Sequence, residues 1–186
     1  MKKIDRLINR GLSPATAMRV IKGELIENEA VRVAMEAHDV EQFLAMNDCL
    51  PEGLRPNWDF SPHHFYFALD GHDKSDPRFQ SLELIEADFA EILPMLTFQS
   101  TRDEGPWSKA YRRKTAKTAY RWQMGLSVTP PLITVCESEL HIEGGLHRFH
   151  LAYHLTEEKI PLLVDAENVD RVRGMLPSAK PLGLSE

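Results

Sequence analysis

Cysteine is scarce in this chain of 186 residues. Only Cys49 and Cys136 occur, far apart and without CxxC spacing, which argues against a disulfide framework and a cysteine-based zinc site. No stretch reaches the roughly 18 apolar residues that a membrane-spanning helix needs, and no apolar signal core follows the first residues. We therefore expect a soluble, cytoplasmic protein without a membrane span.

An excess of basic charge is also lacking. The chain contains 28 acidic residues against 22 Lys and Arg, which gives a formal net charge of -6. We therefore expect that the surface as a whole does not bind nucleic acid, and that any phosphate site is a local basic patch. The hydrophobic fraction of 42% and the charged fraction of 27% are typical of folded proteins and exclude wholesale disorder.

The N-terminal third has the spacing of short helices. Apolar residues recur there at three- and four-residue steps, which predicts a helical module over residues 1–60. Ser13 followed by Pro14 predicts a helix start, because serine caps the first amides and proline fits the first turn. Arg19 and Lys22 also fit a helix-turn-helix DNA reader, but the glutamates that follow would repel a phosphate backbone. We favour a helical packing module over a DNA reader.

A cluster of prolines and glycine over residues 50–62 breaks this pattern and marks the domain boundary. Residues 61–186 then alternate between short β-like runs and helical segments, which predicts an α/β domain with a mixed sheet. The predicted strands are 64–69, 81–85, 132–135, 139–142 and 160–164. Glycines and prolines from Gly174 onward predict a loose C-terminal tail.

The only pair of adjacent glycines, Gly144 and Gly145, stands between a predicted strand and a predicted helix. Glycines permit positive φ and close approach of a ligand, while the first amides of the helix lack internal partners and stabilise an anion. Arg148 adds a two-pronged phosphate donor, and His147 stands beside it. Taken alone, the glycine pair also fits a simple turn of the chain.

This segment resembles the ParB/sulfiredoxin superfamily, in which a short strand, a glycine turn with basic residues, a helix and a strand opening on Ile-Pro follow closely. Ile160 and Pro161 supply the last element, and the resemblance covers roughly residues 79–165. It implies a ParB/sulfiredoxin-like mixed-sheet domain behind the helical module. The phosphate-binding residues that it implies are Gly144, Gly145, His147 and Arg148.

Two departures narrow what the resemblance implies. Sulfiredoxins carry Gly-Gly-Cys-His-Arg at this turn, whereas Leu146 replaces the attacking cysteine here, which argues against sulfinic acid reduction. ParB proteins carry Gly-Glu-Arg-Arg, and no evident helix-turn-helix follows the last predicted strand, so partition-type CTP switching and centromere binding are disfavoured.

The chain is similar in length and in its helical N-terminal part to small plasmid-encoded fertility-inhibition proteins of the oncogenic suppression type. That resemblance implies ATPase and DNase activity and inhibition of conjugative DNA transfer. It also implies a conjugation or secretion-system protein as partner.

Hydrolysis of a phosphate bond needs charge neutralisation, a positioned water and usually a divalent cation. We assign the catalytic role to Glu143, His147 and Arg148, expect Mg²⁺ with ATP or another nucleotide as ligand, and leave the metal-holding residues open. Because its role is charge contact, Arg148→Ala is expected to abolish nucleotide binding and leave the fold intact. A zinc site at His150 and His154 is disfavoured, since no HExxH pattern or nearby cysteine completes it.

A basic run precedes the central strands. No Asp or Glu interrupts residues 105–136, and four-residue spacing aligns basic side chains on one face of a predicted helix. The nucleic-acid-binding residues predicted from this run are Lys109, Arg112, Arg113, Lys117 and Arg121. Tyr111, Tyr120 and Trp122 are expected to offer stacking surfaces for bases. Packed against the glycine turn, this helix would complete one positive cleft in an acidic protein.

The leading hypothesis is therefore a nucleotide or DNA phosphohydrolase of this fold. Two alternatives stay open, namely a non-catalytic nucleotide- or DNA-binding regulator that docks a protein partner, and a small-molecule kinase in which a carboxylate deprotonates a hydroxyl. Binding without turnover distinguishes the regulator. Phosphate transfer to an added alcohol distinguishes the kinase.

Overall fold

The computed structural model describes residues 3–69, 75–156 and 158–183. The chain divides into two compact units, Met1–Asp48 and Cys49–Glu186. The first unit is helical, and the second combines helices with a mixed β-sheet. The mixed α/β class predicted from the sequence is therefore confirmed.

Three helices form the N-terminal unit, namely α1 (Lys3–Asn9), α2 (Pro14–Ile21) and α3 (Glu27–Met46). Helix α2 begins where predicted, since the Thr16 amide donates to the Ser13 hydroxyl at 3.1 Å and Pro14 occupies the first turn. The buried core of this unit consists of Leu7, Leu12, Ala17, Val20 and Val31.

The C-terminal unit contains a five-stranded sheet in the order β3-β2-β4-β1-β5. Its strands are β1 (Leu82–Asp88), β2 (Leu132–Cys136), β3 (Glu139–Gly144), β4 (Lys159–Asp165) and β5 (Lys180–Pro181). Its α-helices are α4 (Phe89–Ile92), α5 (Arg112–Gln123), α6 (Leu146–Thr156) and α7 (Val169–Met175). Strands β2 and β4 are parallel, and the other neighbouring pairs are antiparallel. Within the described ranges, no helix of either unit is long and apolar enough to cross a bilayer.

Strand β4 lies in the middle of the sheet and buries every residue from Ile160 to Val164. A continuous apolar run of this kind is typical of a strand that is covered on both faces. Helix α6 contributes Phe149, whose ring meets Phe89 edge-on at a centroid distance of 5.2 Å, and both rings are fully buried. This packing fixes α6, and with it the turn between β3 and α6, on the sheet.

The predicted strand at residues 64–69 is wrong, because Pro62–Ala68 forms a 3₁₀ helix. Proline suits the first turn of a helix, and the buried side chains Phe65 and Ala68 are three residues apart rather than two. The C-terminal tail predicted from Gly174 onward is also more ordered than expected, since α7 continues to Met175 and β5 pairs with β1.

Gly144, the last residue of β3, packs directly against the end of this 3₁₀ helix. A Cβ atom at Gly144 would lie 2.1 Å from the carbonyl oxygen of Ala68 and 2.9 Å from the side chain of Leu69. A backbone carbonyl within a packed interior cannot swing aside as the end of a long side chain can. Glycine is therefore required at this position by the packing of the chain on itself.

We expect Gly144→Ala to destabilise the C-terminal unit by about 3 kcal/mol, or to prevent folding, because the added methyl group overpacks a backbone contact. Gly174→Ala is the matched control, since open space surrounds its Cβ position within α7. The control should keep the stability or raise it by about 0.5 to 1 kcal/mol. Urea unfolding followed by circular dichroism measures both variants, and equal stabilities would contradict the close contact.

Candidate functional site

Arg148, which the sequence assigned to phosphate, is engaged with the backbone of the protein. Its Nη2 donates to the carbonyl oxygens of Ala68 at 3.2 Å and Pro130 at 3.3 Å. The side chain folds back over Gly145, where an added Cβ would lie 2.4 Å from Arg148 Nε. Gly145 itself has φ +85°, a conformation that favours glycine. The guanidinium thus joins α6 to two other backbone segments.

Glu143 is held by Arg78, an arginine that the sequence did not single out. Arg78 donates to both carboxylate oxygens of Glu143, from Nη1 at 2.7 Å and from Nη2 at 2.5 Å. It also donates to Asp165 at 3.2 and 3.1 Å. These bonds, first to Glu143 and then to Asp165, raise the pKa of Arg78 above its usual value. The carboxylate nearest to the turn therefore belongs to an ion pair that joins the ends of β3 and β4.

Metal ligands were left open by the sequence. In residues 3–69, 75–156 and 158–183, no group of three or more His, Cys, Asp or Glu side chains is arranged to hold a metal ion. The two carboxylates that converge near the turn, Glu143 and Asp165, converge on the Arg78 guanidinium. The expected Mg²⁺ therefore stays a prediction.

His147 and His150 lie on the first turns of α6 beside the segment that leads into α5. The side chains that line the narrow crevice between them are Arg102, Glu104, Pro106, Tyr111, Thr115, His147 and His150. The Nε2 atom of His150 donates to the Ser100 carbonyl at 2.9 Å. His154, the third histidine of this helix, is exposed to solvent. The two crevice histidines therefore differ from His154 in their surroundings.

Positive charge accumulates around His147. Burial of the ring lowers the pKa of His147 to about 4, and nearby Arg102, Lys114 and His150 contribute to the decrease. Burial also lowers the pKa of His150, although its bond to Ser100 opposes the change. His147 is thus neutral at pH 7, while Arg102 and Lys114 make the potential positive at the N-terminus of α6, where the helix dipole has the same sign.

The basic residues in and before α5 differ in their exposure to solvent. The exposed basic residues are Lys109, before the helix, and Arg113, Lys114 and Lys117 within it. Arg121 bends back instead and donates from Nη2 to the Ser127 carbonyl at 3.0 Å. Arg112, the first helical residue, is half-buried. The face of α5 that is open to a ligand is therefore shorter than the sequence spacing predicts.

Trp122 is part of the core, which makes the prediction of a stacking surface there wrong. Its side chain is 5% exposed, and its Nε1 donates to the Asn57 carbonyl at 3.0 Å. The ring meets Trp58 edge-on at a centroid distance of 5.2 Å. Tyr120 is half-buried on the same helix.

Tyr111 links the basic segment to the glycine turn. The guanidinium carbon of Arg102 lies 4.1 Å from the centroid of the Tyr111 ring, a cation–π arrangement. The Tyr111 hydroxyl donates to Asp103 at 3.1 Å, and its ring centroid is 6.5 Å from that of His147. The segment that begins α5 therefore lies against the start of α6, as the sequence suggested.

A buried serine joins this region to the edge strand β3. The Ile142 amide donates to Ser100 Oγ at 2.8 Å, and Ser100 Oγ also lies 3.2 Å from His141 Nδ1. Ser100 is fully buried, so this Ser–His pair has no open face for a substrate and serves to hold the segment in place. No local pattern in the sequence indicates the pair, because 41 residues separate its members.

A larger cleft of about 650 Å³ lies elsewhere in the C-terminal unit. Its walls include Trp58, Phe60, Leu155 and Pro161, together with charged side chains of both signs. None of the residues that the sequence assigned to catalysis, phosphate or nucleic acid lines this cleft. The candidate site is therefore the basic surface at the start of α6 rather than this larger cleft.

We expect Arg148→Ala to destabilise the fold by about 2 kcal/mol or more, because a buried carbonyl that loses its donor costs about 1 to 3 kcal/mol. This expectation replaces the sequence-based one, in which the fold stays intact. Arg173→Ala removes an exposed arginine of α7 and should change the stability by less than about 0.5 kcal/mol. Urea unfolding compares the variants, and equal midpoints would show that the Arg148 bonds contribute nothing.

The low pKa of His147 predicts a loss of stability in acid. Between about pH 6.5 and pH 4 the unfolded chain binds a proton at this histidine that the folded chain does not, so stability decreases as the pH falls. His147→Gln should remove part of this decrease, while His150 retains the rest. His154→Gln on the exposed side of α6 serves as control. Unfolding free energies measured at several pH values test this, and a His147→Gln profile parallel to wild type would refute it.

Comparison with known proteins adds no relative to this picture. No protein-family model matches the chain, and neither curated proteins nor solved structures give a match. The ParB/sulfiredoxin resemblance therefore rests on the turn residues and the order of elements in this sequence.

Proposed function

We propose that the chain binds nucleic acid, and DNA in particular, through its phosphate backbone and does not hydrolyse it. The binding surface would consist of the N-terminus of α6, Arg102 and the exposed basic side of α5. The observation that carries the proposal is the position of Arg102, which lies 4.1 Å from the centroid of the Tyr111 ring and lines the same crevice as His147 and His150 at the start of α6. A phosphate at this place would meet positive charge and the positive end of the helix dipole together.

The distribution of charge along the chain supports the same surface. Residues 105–136 contain six Lys and Arg and no Asp or Glu, which leaves 16 Lys and Arg against all 28 acidic residues elsewhere. A polyanion is therefore attracted by this segment and repelled by the excess of acidic charge on the rest of the chain, which favours a defined orientation on approach. Charge-based binding of this kind is sensitive to salt.

The residues that the sequence assigned to catalysis are used in other ways. Glu143 is paired with Arg78, and the Arg148 guanidinium binds backbone carbonyl oxygens. His147, with a pKa of about 4, is a weak base at neutral pH. These uses favour the non-catalytic regulator over the phosphohydrolase and the kinase. Inhibition of conjugative transfer and docking of a secretion-system protein stay predictions from the resemblance.

The proposal predicts that Lys114→Ala combined with Lys117→Ala weakens DNA binding and its dependence on salt. Both lysines are exposed on α5, and alanine is compatible with the helix. Each lost phosphate contact should reduce the slope of log K against log salt by about 0.7 to 0.9. Fluorescence anisotropy with a labelled oligonucleotide over a salt series measures the affinity and the slope.

The matched control combines Arg173→Ala with Lys180→Ala, which removes two positive charges from α7 and β5. Equal weakening by both pairs would mean that net charge alone governs binding, and the assigned surface would be wrong. Release of inorganic phosphate from ATP and CTP, and nicking of supercoiled DNA, are measured in the same samples with Mg²⁺. If the wild-type chain hydrolysed either substrate and His147→Gln lost that activity, the result would favour the phosphohydrolase over the non-catalytic regulator.

A further inference from the structure

Phe98 is the most exposed large apolar side chain in the described part of the chain. It is 87% exposed, and it begins the short 3₁₀ helix Phe98–Ser100. Burial of a phenylalanine side chain stabilises a protein because it removes apolar surface from water, and this ring leaves nearly all of that surface in water. The fold therefore gains almost nothing from an aromatic side chain at this position.

The backbone on both sides of Phe98 is nevertheless firmly held. The Thr97 amide donates to the Leu140 carbonyl of β3 at 2.8 Å. On the other side, Ser100 accepts the Ile142 amide at Oγ and His150 Nε2 at its carbonyl. The exposed ring thus projects from a support that is fixed to the edge of the sheet and to α6.

This support carries Phe98 to the border of the basic surface. Ser100 is bonded to His150 within the crevice, and Arg102 follows two residues later, where its charge acts on both His147 and His150. Arg102 is four positions after Phe98 in the chain, so their Cα atoms lie at most about 14 Å apart. A short stretch of nucleic acid can therefore contact the ring and the charged groups together.

From this arrangement we propose that Phe98 stacks on a nucleobase and that the ligand of the basic surface is single-stranded nucleic acid. This inference rests on the proposed function and names its substrate class. An aromatic ring beside a basic groove is the combination that single-strand binding requires, because charge holds the backbone and the ring stacks on any base. In a duplex the bases are already stacked and paired, so they reach such a ring only at the cost of unpairing.

The test uses the full chain and a fluorescein-labelled oligothymidylate, with the same strand annealed to its complement as duplex probe. Phe98→Ala removes the ring, Phe98→Leu keeps apolar bulk without an aromatic face, and Phe98→Tyr keeps the face. We expect alanine and leucine to weaken single-strand binding by about 5- to 150-fold. Tyrosine should remain within about threefold of wild type, and duplex binding should be unchanged in all three variants.

The outcomes separate this inference from the proposed function. Unchanged single-strand affinity in Phe98→Ala, or an equal loss for both probes, would overturn stacking and leave the charge-based proposal standing. If the wild-type chain bound neither the single strand nor the duplex, both the stacking inference and the proposed function would be refuted. Size-exclusion chromatography of Phe98→Ala completes the test, since a changed oligomeric state would assign the ring to contact between copies and overturn its role in stacking.

Discussion

The carbonyl oxygen of Ala68 makes two contacts that fix the glycine turn, one with Gly144 and one with Arg148. It lies so close to Gly144 that no Cβ fits between them, and it accepts a hydrogen bond from Arg148. The same guanidinium covers Gly145 and reaches the Pro130 carbonyl ahead of β2. The end of β3, the start of α6 and the 3₁₀ helix before them are thereby fixed together. The direction in which the first amides of α6 point depends on this contact.

A sequence motif that resembles a phosphate site can therefore arise from the needs of the fold. Buried carbonyl oxygens require donors, and a guanidinium with five N–H groups supplies several at once. The charge that a phosphate would meet comes from Arg102 and Lys114, which lie in other segments. The turn orients the helix, and separate residues make its end attractive to an anion. Because the charge comes from residues outside the motif, the motif by itself does not determine whether this end of α6 binds an anion.

The sequence predicts those parts of the fold that depend on local patterning. Four of the five predicted strands were found because their apolar runs are short and bounded by turn residues, and α5 follows from four-residue spacing. The run at 64–69 misled because aromatic residues have high β-propensity, whereas Pro62 starts a helix there. The pairing of Arg78 with Glu143 spans 65 residues and leaves no local signal. Likewise, nothing in its neighbours showed that Arg121 turns back to Ser127.

Arg102 and the lysines of α5 differ in how they would act on a ligand. Arg102 is packed on the Tyr111 ring, so its charge is already positioned beside His147 and loses little freedom when a phosphate binds. Lys114 and Lys117 are exposed on long flexible side chains, which attract phosphate over a range of geometries but must be ordered on contact. Arg102 and the rigidly supported Phe98 should therefore set the position of a bound strand. The lysines should mainly set the strength of binding and its sensitivity to salt.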